Sequence, residues 1–587
     1  MRNKKEQIPV QVLYADRNQN RYKNIIWIIF LALLLTGGIF LVIRQSWKGQ
    51  VSVLPVCGLM ACTGILCCVL AEMMREKMRF SVIFTGLPWL LLLIFTGAFR
   101  GGWTGAQAWF NMLISQWNTA NEGGLALFSV QASTHDAFVF TLILVLAAGR
   151  HLLLANIFCI LWVILQLLCG VLNPAACGFL FAALCGMCMS DDEMIFTRNR
   201  VGWTVGVLIV FCIFGRVVSE EEILAVSQFR ESVQEEIHKI RYGEDTLPEG
   251  NLYQASELKA DAKEMLSLKT EQQKTLYLRG FVGSVYEAGV WEEPADAVYG
   301  GKNAGILKWL EKNSFDPLCQ ISAYYAHSDE EKNPDKNEIQ IRVTGASRYY
   351  VYTPATVEDI KKGKLTEDKD IRFCNKGFLA ARNYTIEETS GTRPAELMVT
   401  DLWVSTPESA EQKQYSETES VYRAFVYDTY RDVDPETRDL LQQMFWDDYE
   451  SDSDGIYSSI CRIRDVLKEN VEYTENIEEV PDGEDPVRYF LTGSQRGNAM
   501  LYASAAVDAL RVHGIPARYV EGYYISESDL KNSQSEEIIL TGENTHAWAE
   551  AYFDGIGWFP LDVTPGYYYD AVTLQKMVST PDVAQKN

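Results

Sequence analysis

Two kinds of apolar pattern divide this chain near residue 217. Before it, apolar residues run almost uninterrupted at 25–43, 51–71, 80–99, 136–149, 152–170, 174–189 and 201–214. Roughly 20 such residues cross a bilayer as a helix, so the pattern predicts a membrane domain over 25–217 with about seven helices, the fourth, sixth and seventh of them short. The first run begins only after a polar segment, 1–24, and further runs follow it, which disfavours a cleavable signal peptide.

After residue 217 the periods shorten. The charged, helix-leaning stretch 218–269 predicts a helical stalk. "TLYLRGFVGSVYEAGVW" and "NEIQIRVTGASRYYVYTP" alternate, carry aromatic and β-branched residues and are broken by glycine, so a β-rich region is expected over 270–410. Its tyrosines Tyr349, Tyr350 and Tyr352 either form one face of a sheet or present rings to a sugar or peptide. Helices are expected from Thr418 to Tyr430, after Asp434 as N-cap with Pro435 at the first position, and from Ile456, where Ile460, Ile463 and Leu467 continue an apolar face. Another covers 499–513, with Met500, Ala503, Val507 and Leu510 on one side, Gly514 as the stop and Pro516 beyond. "IPARYVEGYY", "HAWAEAYF" and "GWFPLDVT" follow as strands. One α+β domain over 418–570 is the expected result, with 571–587 as a C-terminal tail.

Charge sharpens the division. Residues 1–217 hold 16 Lys or Arg against 9 Asp or Glu, a net +7, and residues 218–587 hold 37 against 68, a net −31. Such a back half repels nucleic acid. Arg2, Lys4, Lys5, Arg17, Arg21, Lys23, Arg75, Lys77, Arg79, Arg150, Arg198 and Arg200 fall on one side of a seven-span layout. That places the N-terminus in the cytoplasm and the large C-terminal portion outside a cell membrane that the chain crosses several times. Of the 13 cysteines only Cys319, Cys374 and Cys461 belong to the outer portion, an odd and widely spaced set that implies no disulfide framework. The "CGMC" at 185–188 lies within an apolar run and reads as packing, so no metal and no cofactor is expected.

The chemistry gathers near the end of the chain. A nucleophilic thiol needs a cysteine, best placed at a helix N-terminus, an imidazole to take its proton and a third group to orient that imidazole. His546 on one strand and Asp562 on its neighbour suit the second and third roles. They equally suit a structural pair in which Asp562 accepts a buried imidazole N–H. The helix expected at 499–513 begins Asn498, Ala499, Met500 and carries no cysteine.

Residues 487–565 resemble the bacterial transglutaminase-like domain, whose fold is shared with papain-type cysteine peptidases, at "YFL", "RG", "YASAAV", "GIPARYVEGY", "HAWAE", "GW.P" and "D.TP". A membrane region followed by such a domain further resembles bacterial membrane proteins of the TgpA type. The resemblance implies a papain-like arrangement with His546 and Asp562 as the base and its orienter, and Ala499 where the family has its cysteine. Asn498 and Leu501 stand where the family often has an aromatic residue and a histidine, so the loss of the thiol is read as natural. The implied function is a membrane-anchored, catalytically silent protein that binds an extracytoplasmic peptide or protein, cell-wall material included, or serves as a scaffold in a membrane-protein assembly. Its cleft would be framed by His546, Asp562, Trp548, Asn498, Leu501 and a flap at 526–545, with Trp548 equally readable as core. The alternative is a cysteine-peptidase-like or acyl-transfer enzyme using another nucleophile, for which Cys461, Ser494 and Ser504 are the residues to test.

Overall fold

The computed structural model of the chain describes residues 174–188, 198–217 and 224–567, and a few single positions nearer the N-terminus. The last span is interrupted at 259–261, 272–273, 329–335, 362–364, 376–379, 390–403, 405, 448–455 and 533–536. The apolar runs at 25–43, 51–71, 80–99, 136–149 and 152–170 lie, but for single positions, outside the described residues, as does the tail 571–587. The chain divides into two compact units, Met1–His238 and Lys239–Asn587. In the first, the runs expected at 174–189 and 201–214 are helices α1 (Pro174–Cys188) and α2 (Arg198–Val217). Among the described residues no helix is long and apolar enough to cross a membrane. Helix α3 (Leu224–Tyr242) occupies the first part of the segment expected to be a stalk, and the end of that segment is a strand.

The second unit is built on two sheets and a buried helix. The larger sheet orders strands β7-β1-β3-β5-β4 and the smaller β9-β8-β6-β2. These are β1 (Glu264–Thr270), β2 (Leu276–Gly283), β3 (Lys336–Val343), β4 (Val357–Lys361), β5 (Asn383–Thr389), β6 (Ala517–Ile525), β7 (Ile538–Thr541), β8 (Thr545–Phe553) and β9 (Gly557–Leu561). The regions expected as 270–410 and 418–570 therefore exchange strands. β2 completes the sheet of the later region by pairing with β6, and β7, from the segment expected to be a flap, pairs with β1. Tyr350 and Tyr352 are buried rather than presented to solvent.

The unit also contains helices α4 (Ala410–Thr429), α5 (Pro435–Leu441), α6 (Ile456–Asn470) and α7 (Ala499–Val512), besides shorter ones that include Ile306–Lys312, Gln320–Ser328 and Glu527–Asn532. The Asp434 side chain accepts the Thr437 amide, with Pro435 at the first helical turn. Ile460, Ile463 and Leu467 are buried on α6. Helix α7 is buried on all sides from Ala499 to Arg511, as a helix through the middle of a domain must be, and Gly514 ends it at φ 86°. Along β8 side chains alternate between faces. Ala547, Ala549 and Ala551 join the core that contains α7, while Trp548 joins a separate cluster with Tyr277, Val282, Ile371 and Val520.

On that second face lies a buried ion triad. Glu550 Oε1 accepts Arg279 Nε at 3.0 Å and Nη2 at 2.9 Å, and its Oε2 accepts Arg518 Nε at 2.8 Å. The three residues come from β8, β2 and β6, so one carboxylate ties three strands. Burial alone would raise its pKa, but the two guanidiniums hold it below the ordinary carboxylate range. Between β6 and β2 the approach is close enough that a Cβ on Gly522 would sit 2.0 Å from the Leu278 carbonyl oxygen.

Removing one partner of a buried ion group strands the others, so Glu550→Gln is expected to cost about 3–5 kcal/mol, read by denaturation of the purified chain. A cost below about 1 kcal/mol would show that the triad does not hold this sheet. A second expectation concerns Asp508 on α7, a buried carboxylate whose two oxygens have no hydrogen-bond partner among the described residues. Burial is the chief cause of its rise from 3.8 to about 7, with Asp485 and Asp434 adding to it and Arg511 opposing. The folded chain keeps this proton after the unfolded chain has released it, so stability is lost as pH rises between those two values. Asp508→Asn should therefore gain most over the parent above pH 7, by up to about 4 kcal/mol, and little at about pH 4; a melting-temperature difference that is the same at both would contradict this.

Candidate functional site

The centre of the site is the carboxylate of "D.TP". Asp562 follows β9, and the amide of Thr564 turns back to donate to its Oδ1 at 2.9 Å, the local turn that an Asp two residues before an amide favours. Oδ2 lies 2.7 Å from His546 Nε2 and 2.9 Å from the hydroxyl of Tyr277, which donates to it. Arg464 of α6 donates through Nε and Nη2 to the Asp562 carbonyl at 3.1 and 2.6 Å. Both oxygens of the carboxylate are thus supplied with donors, and a proton on His546 Nε2 is the arrangement that suits an ionised acceptor. The other ring nitrogen, Nδ1, is left with its lone pair. It is buried, and among the described residues no hydrogen-bond partner reaches it.

Ala499 opens α7, the helix packed against the strand that carries His546. The preceding Asn498 uses its side chain twice. Its Oδ1 accepts the Met500 amide at 3.2 Å, and its Nδ2 donates to the Ala255 carbonyl at 2.7 Å. The helix end that stabilises a thiolate in a thiol enzyme is here capped by its own neighbour and covered by the turn Leu252–Glu257. The carbonyl of Leu258, just past that turn, accepts the hydroxyl of Thr545, next to His546.

A tyrosine ring stacks on the imidazole. The ring of Tyr567 lies 4.2 Å from that of His546 at an interplanar angle of 18°. The Tyr567 carbonyl lies 3.1 Å from the Tyr277 hydroxyl, its side chain is hydrogen-bonded to that of Tyr473, and its ring meets Tyr524 edge-on at 4.9 Å. Burial, together with the charge of Asp562, pushes the Tyr524 phenol up to about 12, so it is neutral cover. Tyr473 in turn pairs by backbone with Gly497, two residues before Ala499.

The other residues expected at the site are placed as follows. His546 and Asp562 are brought together. Asn498 and Leu501 are buried, the first as the helix cap, and Trp548 is core beside Tyr277. Among its described residues, segment 526–545 holds a short helix, strand β7 and a turn. Ser504 is fully engaged, donating to the Met500 carbonyl at 2.8 Å and accepting Trp291 Nε1 at 2.9 Å. Ser494 bonds to the backbone of Arg496. Cys461 is a free, half-buried thiol on α6. Tyr277, Arg464 and Tyr567 were not singled out by sequence. Tyr277 stood in a recognisable strand, but nothing local ties that strand to Asp562, 285 residues away.

Comparison with known proteins locates the likeness in this part of the chain. Residues 445–563 match the transglutaminase-like superfamily. Over 119 residues the chain is 34% identical to the uncharacterized protein YebA of Bacillus subtilis (strain 168), a stretch that is 20% of this chain and 16% of that protein. The periplasmic domain of TgpA from Pseudomonas aeruginosa superposes with a TM-score of 0.36 at 14% identity, covering 56% of this chain and 94% of that one. The same domain bound to ethylmercury gives a TM-score of 0.36 at 15% identity, with 56% and 99% covered.

If Tyr567 is what covers the imidazole, Tyr567→Ala should raise the rate at which diethyl pyrocarbonate modifies His546 several-fold, read by peptide mapping. Tyr567→Phe keeps the stacked ring and should stay near the parent. Equal rates in all three proteins would remove the covering role.

Proposed function

We propose that the outer portion of this chain is a catalytically silent transglutaminase-like domain, anchored by the apolar runs that precede it, which binds an extracytoplasmic peptide or protein or acts as a scaffold. One observation carries the reading: the imidazole is oriented and has nothing to deprotonate. Asp562 holds Nε2, and no thiol or hydroxyl among the described residues bonds to Nδ1. A base contributes to nucleophilic catalysis only when the nucleophile's proton is within hydrogen-bond reach, and an alanine methyl at 499 has none to give. Ser504, the hydroxyl on the same helix, already spends its proton on Met500. The retained pair then serves the fold, with Asp562 joining α6, β2 and β8 at one point. Asn498, Leu501 and Trp548 are buried, so contact of a ligand with them requires the segments packed over them to move.

The family resemblance supports an extracytoplasmic setting and an envelope peptide or neighbouring membrane protein as the bound class. A working cysteine-peptidase-like or acyl-transfer enzyme is the competing reading. Cys461 is the thiol that would serve it, lying one turn before Arg464, whose guanidinium holds the Asp562 carbonyl.

The full-length chain should show no amine incorporation into peptide glutamine, no deamidation and no proteolysis above background, and His546→Ala should leave that background unchanged. Turnover that vanishes in His546→Ala, with a covalent adduct mapped to Cys461 or a serine, would establish the enzyme reading instead. Ala499→Cys is expected to place a thiol at the start of α7; new turnover in that variant would show that His546 and Asp562 remain competent.

A further inference from the structure

The second unit carries a groove well away from His546. Arg511 closes α7 at the end opposite Ala499, and a helix of 14 residues is roughly 20 Å long. There a cleft of about 920 Å³ opens between the segment 284–303 and the chain from Tyr427 to Arg438. A second cleft of about 570 Å³ adjoins it, sharing Lys302, Asn303 and Asp428 as a common wall.

The two halves differ in chemistry. The larger is lined by Lys302, Arg431, Arg438 and Arg511 against Asp428, Asp432 and Asp434. In a portion of chain where acids outnumber bases by 68 to 37, this is a local reversal. The acids are also partly committed: Asp428 pairs with Lys302 at 2.7 Å, and Asp434 caps α5. Arg511 directs its N–H groups to the carbonyls of Ala517, Asp432 and Ser284. Arg431 and Arg438 are exposed; they bond to the carbonyls of Tyr427 and Val433, and Arg431 also lies over the Tyr427 ring at 5.1 Å, but neither charge is met by a carboxylate within the described residues. The smaller half is apolar, with Ile306, Trp309, Val421, Ala424 and Phe425. Of the exposed large apolar side chains described in the second unit, namely Ile240, Tyr253, Val285, Trp309, Val421 and Ile539, three line these two clefts. Exposed apolar groups gathered in a concave site beside unpaired guanidiniums are the features of a recognition surface.

We propose that this two-part groove docks an extended acidic peptide segment, setting apolar side chains on Trp309 and Val421 and a carboxylate between Arg431 and Arg438. Guanidinium forks suit carboxylates, and the surrounding negative field makes the groove the place where an acidic segment is tolerated. The inference stands independently of whether the His546 site is silent.

A fluorescein-labelled decapeptide of alternating leucine and glutamate, titrated into the full-length chain in zwitterionic detergent and followed by anisotropy, tests it. Saturable binding that weakens with salt is expected. Arg431→Glu with Arg438→Glu should raise Kd about tenfold or more, the two Gln substitutions should raise it less, and Trp309→Ala should raise it about fivefold. Lys269→Glu, an exposed position outside the groove, should leave it unchanged, and circular dichroism checks that each variant is folded. The proposal is overturned by the absence of saturable binding, by equal affinity for the alternating leucine and lysine peptide, or by indifference to either the arginine or the tryptophan substitutions.

Discussion

Everything in the second unit hangs on a carboxylate that cannot be left alone. Glu550 is buried between two guanidiniums, one from β2 and one from β6; they make its charge tolerable, and it offsets both their burial and their mutual repulsion. The triad fixes which strands lie side by side and in what register, since Arg518 stands directly across from Glu550. With β6, β8 and β2 so fixed, His546 falls opposite Gly522, and β9 delivers Asp562 to its Nε2. The glutamate of "HAWAE" and the arginine of "GIPAR" are therefore structural members of a motif whose histidine draws notice for its chemistry.

The same logic applies to the paired imidazole and carboxylate of His546 and Asp562. Asp562 is held through its side chain by His546, Tyr277 and Thr564 and through its carbonyl by Arg464. A buried carboxylate with its acceptors filled is stable where an unfilled one is not. Replacing any of these donors costs stability whether or not chemistry is done. The unbonded Nδ1 is the residue of what packing does not require, and Tyr567 shields it from water.

What could be read from sequence follows the range of the interactions involved. Helix α7 was legible because its signals are local, with Asn498 before it, Gly514 after it and a periodic apolar face between. β6, β8 and β9 were legible from alternation, and His546 with Asp562 from a motif whose members lie 16 residues apart. The strand exchange was not legible. β7 is a four-residue edge strand joined to β1 through backbone hydrogen bonds, which leave no side-chain signature, and "IILT" after a polar stretch reads as part of a flap. Tyr567 escaped notice because stacking on a ring is a property of the folded chain. Tyr349, Tyr350 and Tyr352 left two readings open, and burial of the last two turns on β2, which brings Arg279 against Thr353.

The exchange of strands sets an order of events for a chain made from its N-terminus. β1 and β2 emerge first; β1 is paired once β3 follows, but β2 lacks its partner until β6 is made, and the Arg279 and Glu550 that must meet are 271 residues apart. Contacts of such separation are slow to form, and a sheet edge that waits is exposed to wrong pairing meanwhile. The stretch 445–563 that matches the superfamily is thus not a folding unit by itself, because the strand that finishes its sheet is synthesised before it begins. A gene fragment cut to the borders of the match would inherit an open sheet edge and a glutamate lacking one of its two arginines.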